Sequence, residues 1–208
     1  MRIACGNQLS PTQNLIAAGI QASARNADAT VTYATWNPLD KGTGVTLSNG
    51  DLTIVGTGAG QNFGRSTIGK SSGKWYWEYH VDSVTGYGPM FGIAKSTASF
   101  TPNWLGGDAD GYGYYCPNGN KYNNGSGSAY GASVAVGDTV GVALDMDAGT
   151  VTFYKNNVSQ GVAFSGLTGT VYAAGPGAGA ASQTVTANFG ATALAYTPPT
   201  GFNAGLYT

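Results

Sequence analysis

The sequence predicts an all-β domain, a bent antiparallel β-sandwich. Three observations point there. Residues 75–81, Trp-Tyr-Trp-Glu-Tyr-His-Val, alternate like a strand and carry the densest aromatic load in the chain. Short apolar runs recur between turn signals from Trp36 onward. No helical period separates those runs, which excludes a parallel α/β fold.

In residues 75–81, Trp75, Trp77, Tyr79 and Val81 share one face, and Tyr76, Glu78 and His80 share the other. The first face needs cover. The second is mixed and suits loops or water. Upstream, Val45–Leu47 and Leu52–Val55 flank an Asn49-Gly50 hairpin turn. A glycine-rich loop (56–62) and a short strand near 64–68 follow. Downstream come Met90–Ala94, then brief strands at Tyr112–Tyr115 and Lys121–Tyr122. Thr139–Met146 and Thr150–Tyr154 form a hairpin closed by Asp147-Ala148-Gly149. Asn156-Asn157 turns the chain into Val158–Phe164, and Val171–Ala174 and Thr184–Phe189 complete the sheet.

Residues 1–35 read differently. Ser10-Pro11-Thr12-Gln13 is a capping box with proline at the first helical position, opening a short helix over 11–24. The helix is weak alone, so 1–35 is expected to be a docking arm and 36–208 the sandwich domain.

Composition narrows the function. The 208 residues hold 9 Lys+Arg and 10 Asp+Glu, net −1, with no basic run, which argues against nucleic acid. The 34 glycines and 8 prolines fall below the roughly 25–30% that marks low complexity. The 7 Phe, 4 Trp and 13 Tyr call for a packed core. Cys5 and Cys116 make no disulfide framework and are expected as free thiols. With no apolar run near ~18 residues and no secretory leader, membrane insertion is not expected, and the chain is expected to be made in a cytoplasm.

Several motifs resemble catalytic signatures. Gly64-Arg65-Ser66-Thr67-Ile68-Gly69-Lys70-Ser71 fits a phosphate-binding loop, and Gly69-Lys70-Ser71-Ser72-Gly73 fits a nucleophile elbow. Both chemistries need a following helix, and an aromatic strand follows instead. His80, the one histidine, reads as a half-exposed strand residue. Asp145-Met146-Asp147-Ala148-Gly149 begins like a calcium loop, but its twelfth position is Asn156, and a hairpin turn uses the same residues. No catalytic residue, metal or cofactor is expected.

The ligand-binding expectation falls on 96–133, rich in aromatics and asparagine and nearly uncharged. Such loops give stacking area and adaptable hydrogen bonds. The candidates are Phe100, Trp104, Asp108, Asp110, Tyr112, Tyr122, Asn123 and Tyr130, with Tyr87 on the same rim. Loop solvation for the aspartates and core packing for any single aromatic are the plainer alternatives.

The ordered run of Ser72–Glu78, Gly92-Ile93-Ala94, Gly137–Asp145, Gly149–Asn157, Val171-Tyr172 and Thr186–Gly190 resembles the SPRY domain. The resemblance spans about Trp36 to Phe202 and is weakest over 96–133. It implies a bent antiparallel sandwich used for binding. Thr35–Asp40 and Tyr196–Phe202 look like the SPRY modules of tailed-bacteriophage and prophage structural proteins. That narrower likeness implies a non-enzymatic virion protein, decorating a capsid, neck or tail. Residues 1–35 would hold other virion proteins, the loops would touch a host-surface glycan or protein, and the assembly would be homo-oligomeric. The alternatives are a polysaccharide-degrading tailspike or lysin component and an intracellular peptide-binding SPRY adaptor.

Overall fold

The computed structural model describes residues 31–56, 63–86, 88–100, 104–177 and 183–208. The helix expected over 11–24, the arm up to residue 30, Cys5, most of the glycine-rich loop and Tyr87 lie outside the described residues.

Two sheets form a sandwich, as expected, and the described residues contain no helix. Strands are numbered in chain order. The seven-stranded sheet runs β1 (Trp36–Lys41), β4 (Gly64–Lys70), β13 (Val171–Gly175), β6 (Met90–Ala94), β7 (Gly111–Tyr115), β8 (Asn120–Asn123) and β9 (Ser126–Ala129). The second sheet runs β12 (Val158–Ser165), β11 (Thr150–Lys155), β10 (Thr139–Asp145), β5 (Lys74–Val84), β14 (Gln183–Asn188), β3 (Thr53–Gly56) and β2 (Val45–Ser48). A short β15 (Asn203–Ala204) lies parallel to β5. Every other strand pair is antiparallel.

The aromatic stretch is the middle of β5. Trp77, Tyr79 and Val81 are fully buried between the sheets. The Tyr79 ring stacks on Trp36 of β1 at 5.7 Å and on Phe91 of β6 at 5.0 Å. This stack joins the two sheets, each pair adding about 0.5–1.5 kcal/mol beyond burial. Trp75 is half-buried at the strand's start, where the Lys70 ammonium sits 3.5 Å from its ring centroid.

The other face of β5 is divided between a covering segment and solvent. Tyr76 and Glu78 are buried, 1% and 3% exposed, so of the two covers expected for this face, loop or water, it is a loop here. The C-terminal segment crosses over them. Glu78 Oε2 accepts the Ala195 N–H at 2.7 Å, and Oε1 accepts the Tyr196 N–H at 2.9 Å. Beside them the Tyr76 ring lies over Gly141, where a Cβ would meet its hydroxyl at 2.1 Å. His80 is exposed, as expected.

The expected turns are present. Asn49 and Gly50 both have positive φ between β2 and β3, as do Asn156 and Asn157 between β11 and β12. Asp145 serves its turn: Oδ1 accepts the N–H groups of Asp147 and Ala148, and Oδ2 takes Lys74 at 2.6 Å. The phosphate-loop match is β4 itself, and Lys70 donates to the Tyr207 carbonyl. Cys116 is a buried free thiol. Strand pairing of the body begins before Trp36, because Tyr33 bridges to Tyr207 and Ala34 N–H donates to the Leu206 carbonyl.

Replacing Glu78 with alanine leaves two strap amides without their acceptor. Hydrogen bonds to a charged acceptor are worth about 1.5–3 kcal/mol each, toward the low end for strap amides that water can reach. Urea unfolding of Glu78→Ala is expected to show that loss, and limited proteolysis is expected to cut first within 191–202. Wild-type stability in the variant would contradict the strap's dependence on this carboxylate.

Candidate functional site

The outer face of the seven-stranded sheet carries a small second core: Phe63, Met90, Ala94, Ala98, Leu105 and Ala174. The described parts of the β6–β7 connection, residues 95–100 and 104–110, cover that face. Their anchor is Arg65 on β4, 3% exposed. The guanidinium makes a two-pronged pair with Asp40, Nε to Oδ2 at 2.9 Å and Nη2 to Oδ1 at 2.7 Å. Its Nη1 donates to the carbonyls of Ala98 at 2.8 Å and Lys95 at 3.2 Å. Phe100 lies under the guanidinium carbon, 4.2 Å from its ring centroid. A buried cation thus gains a counter-ion, two carbonyls and an aromatic face, which together offset its desolvation.

Asp108 and Asp110 hold the other end of this connection. Asp108 Oδ2 accepts the Ser99 N–H at 2.8 Å, and Oδ1 accepts those of Asp110 and Gly111. Asp110 accepts the Thr97 hydroxyl at 2.6 Å and lies 3.3 Å from the Lys95 ammonium. The Thr97 hydrogen bond, then Lys95, holds the Asp110 carboxyl below its ordinary range. Asn123 donates to the carbonyls of Gly111 at 2.8 Å and Ala109 at 3.1 Å. The two aspartates and Asn123 therefore shape the loop with their polar groups.

Alternation along β7 and β8 divides the predicted aromatics. Tyr112 faces inward and meets Phe164 edge-on at 5.3 Å. Tyr130 packs inward on Tyr114 and Phe153. Its hydroxyl donates to the Gly161 carbonyl at 2.6 Å, and burial pushes its pKa up to about 12. Phe100, Trp104 and Tyr122 stand on the outer face, half-buried, together with Tyr115. Trp104 meets Tyr122 edge-on at 5.0 Å, and Tyr115 meets Tyr122 at 6.1 Å. These three rings form a shelf at the sheet's β8–β9 end. Arg65 and Asp40 were missed as site builders, and Tyr115, one of the aromatics of 96–133, was not among the chosen candidates. The 111–115 alternation carried a signal for Tyr115. Arg65 carried none beyond its place in a strand.

Two clefts lie away from the shelf. One of about 540 Å³ is lined by Tyr33, the strap from Gly190 to Pro198 and Ala204. One of about 270 Å³ lies beside it, over Glu78, His80, Thr139 and Thr186. His80 Nδ1 is 3.4 Å from the Thr139 hydroxyl, and Asp82 lies 3.9 Å from its Nε2.

Fold and shelf together define a two-sheet β-sandwich with an aromatic cluster on the outer face of one sheet. The SPRY domain family's sequence profile matches residues 74–192, more than half of the chain, and the chain belongs to that family. The Ran-binding proteins 9/10 homolog of Drosophila melanogaster is 31% identical over 164 residues, which cover 74% of this chain and 17% of that protein. Ran-binding protein 9 of Xenopus laevis is 33% identical over 164 residues, covering 74% and 30%. The chain therefore spans less than a third of these relatives. The SPRY domain of human HERC1 shares the fold, with TM-score 0.65 and 22% identity, covering 73% of this chain and 96% of that one.

These findings correct the bacteriophage reading. The relatives described above are Ran-binding proteins of animals, so virion function, virion partners, a virion location and a decoration or tail-fibre role are withdrawn. The segments that suggested them serve the sandwich itself. Residues 35–40 lead into and form most of β1 and supply Asp40 to Arg65, while Tyr196 donates its N–H to Glu78.

Asp110→Asn tests the loop's electrostatics. A carboxyl held low in the folded state stabilises it above the ordinary carboxyl value of 3.8 and loses that contribution as pH falls through the folded value. The gap in thermal midpoint between wild type and Asp110→Asn is expected to hold at neutral pH and shrink as the pH drops below 3.8. A gap independent of pH would contradict this.

Proposed function

We propose that this chain is a non-enzymatic protein-interaction module that binds a peptide segment of a partner protein on the Trp104–Tyr115–Tyr122 shelf. The carrying observation is the outer-face ring cluster on a loop locked by Arg65, Asp108 and Asp110. Half-buried aromatic rings lose little entropy when a partner covers them, and a fixed loop avoids the cost of ordering. The relatives' name describes a protein as the thing they bind, which supports a protein partner.

A binding rather than catalytic role rests on how the polar groups are used. The shelf's carboxylates are committed to loop amides, Thr97 and Lys95. The histidine lies on the other sheet, on β5. Ser71, in the elbow-like motif, is exposed at the turn into β5 with no helix behind it.

The test is selection of peptides from a yeast-displayed library of random dodecapeptides on the full chain. Trp104→Ala and Tyr122→Ala are each expected to weaken the selected peptides by about tenfold or more, the range of interface hot spots. The fold is expected to remain, because both rings lie at the rim. Selected peptides that bind both variants as they bind wild type would remove the shelf from the site.

A further inference from the structure

We infer that the open edge of β9 is a docking site for an extended peptide, which joins the seven-stranded sheet as an eighth strand beside the aromatic shelf. This rests on the interaction-module reading above and specifies its geometry.

The register fixes which backbone groups are free. Asn124 and Gly125 have φ of 51° and 73°, so the β8–β9 turn is a two-residue type I′ turn closing on Asn123 and Ser126. In such a hairpin the closing pair exchanges hydrogen bonds, and hydrogen-bonded pairs then alternate along the ladder. Ser126 and Ser128 therefore bond to β8. Gly127 and Ala129 direct their N–H and C=O groups outward, and among the described residues no strand lies beyond β9. All four residues of β9 are exposed.

The other sheet edges are guarded. Strand β1 contains Pro38 and a register shift. Along β12 the Gly161 and Ala163 carbonyls take the Tyr130 hydroxyl and the Lys121 ammonium, and its pairing with β11 is bulged. On β2 the Val45 carbonyl accepts Lys41 at 2.7 Å. Sheet edges are commonly blunted by proline, charge or bulges. Ser126-Gly127-Ser128-Ala129 has no proline and no charge, and its pairing with β8 is unbroken. The hairpin tip is pinned as well, since Asn124 N–H donates to the Asp108 carbonyl and Gly125 N–H to that of Gly106. The edge is a fixed template.

The chemistry of that edge selects its occupant. Outward donors and acceptors repeating every second residue are complemented by another extended backbone. The side-chain preference comes from Gly127. The Tyr122 ring leans across β9, 2.4 Å from where a Gly127 Cβ would stand. A peptide residue paired with Gly127 puts its side chain on the same face, against that ring and its Trp104 neighbour. An aliphatic or aromatic residue fits there, with its neighbours two positions away on the same face.

Two measurements on the selected dodecapeptides test this. Ala129→Pro removes an outward donor and leaves the β8 hydrogen bonds intact, as proline is tolerated on an edge. It is expected to weaken binding at least tenfold. Independently, methylating backbone nitrogens of the peptide at alternate residues is expected to abolish binding in one alternation and spare it in the other. The methylated peptides leave the protein unchanged, so they decide the matter even if Ala129→Pro fails to fold. Equal effects of the two alternations, or full affinity for a folded Ala129→Pro, would overturn the edge inference. If Trp104→Ala still abolished binding in that case, the shelf reading would stand without it. Enrichment of no peptide would overturn both. Self-association of the chain that Ala129→Pro removes would assign the edge to a second copy and overturn the foreign peptide.

Discussion

The buried pair of Arg65 and Asp40 is the constraint on which the candidate site depends. One guanidinium joins β1, β4 and the connection that covers the outer sheet. Its five N–H donors suit this task, and an ammonium could not reproduce the planar fork. Breaking such a pair exposes a buried charge to an apolar neighbourhood, so the arrangement tolerates little change. Phe100 packs against the guanidinium and against Phe63, and the second core continues from there to Leu105, Trp104 and Tyr122. The shelf's position is thus traceable to one cation on β4.

The two faces of each sheet explain how one short chain supplies a core and a surface. On β5 the inward residues tie the sheets together through the Trp36–Tyr79–Phe91 stack. On β7 inward Tyr114 joins that core, while Tyr115 one residue later joins the shelf. The outer-face rings therefore ride on strands whose opposite faces are committed to stability, which keeps those rings in place.

Much of the fold was legible because it is local. The β10–β11 hairpin, the Asn49-Gly50 turn and the β5 alternation follow from strand period and turn chemistry. What escaped was set by distant partners. Tyr76 and Glu78 read as a mixed outer face because their cover, residues 195 and 196, lies more than a hundred positions away. Strand β9 was invisible because Ser-Gly-Ser-Ala has no strand-favouring residue type; its pairing comes from the turn at Asn124-Gly125. In the candidate site, composition singled out 96–133, but not how its residues divide between core, loop and outer face. Tyr112 and Tyr130 face the core, while Asp108, Asp110 and Asn123 build the loop. Arg65 sat inside a phosphate-loop pattern that turned out to be a strand.

Hydrogen exchange of the full chain with and without an excess of the strongest selected peptide locates the binding surface, proposed to be the outer face and edge of the seven-stranded sheet. New protection is expected only at amides of residues 104–107 and 120–130, with the strap at 190–198 unchanged. Protection at the strap and its clefts, with none at 120–130, would contradict that placement.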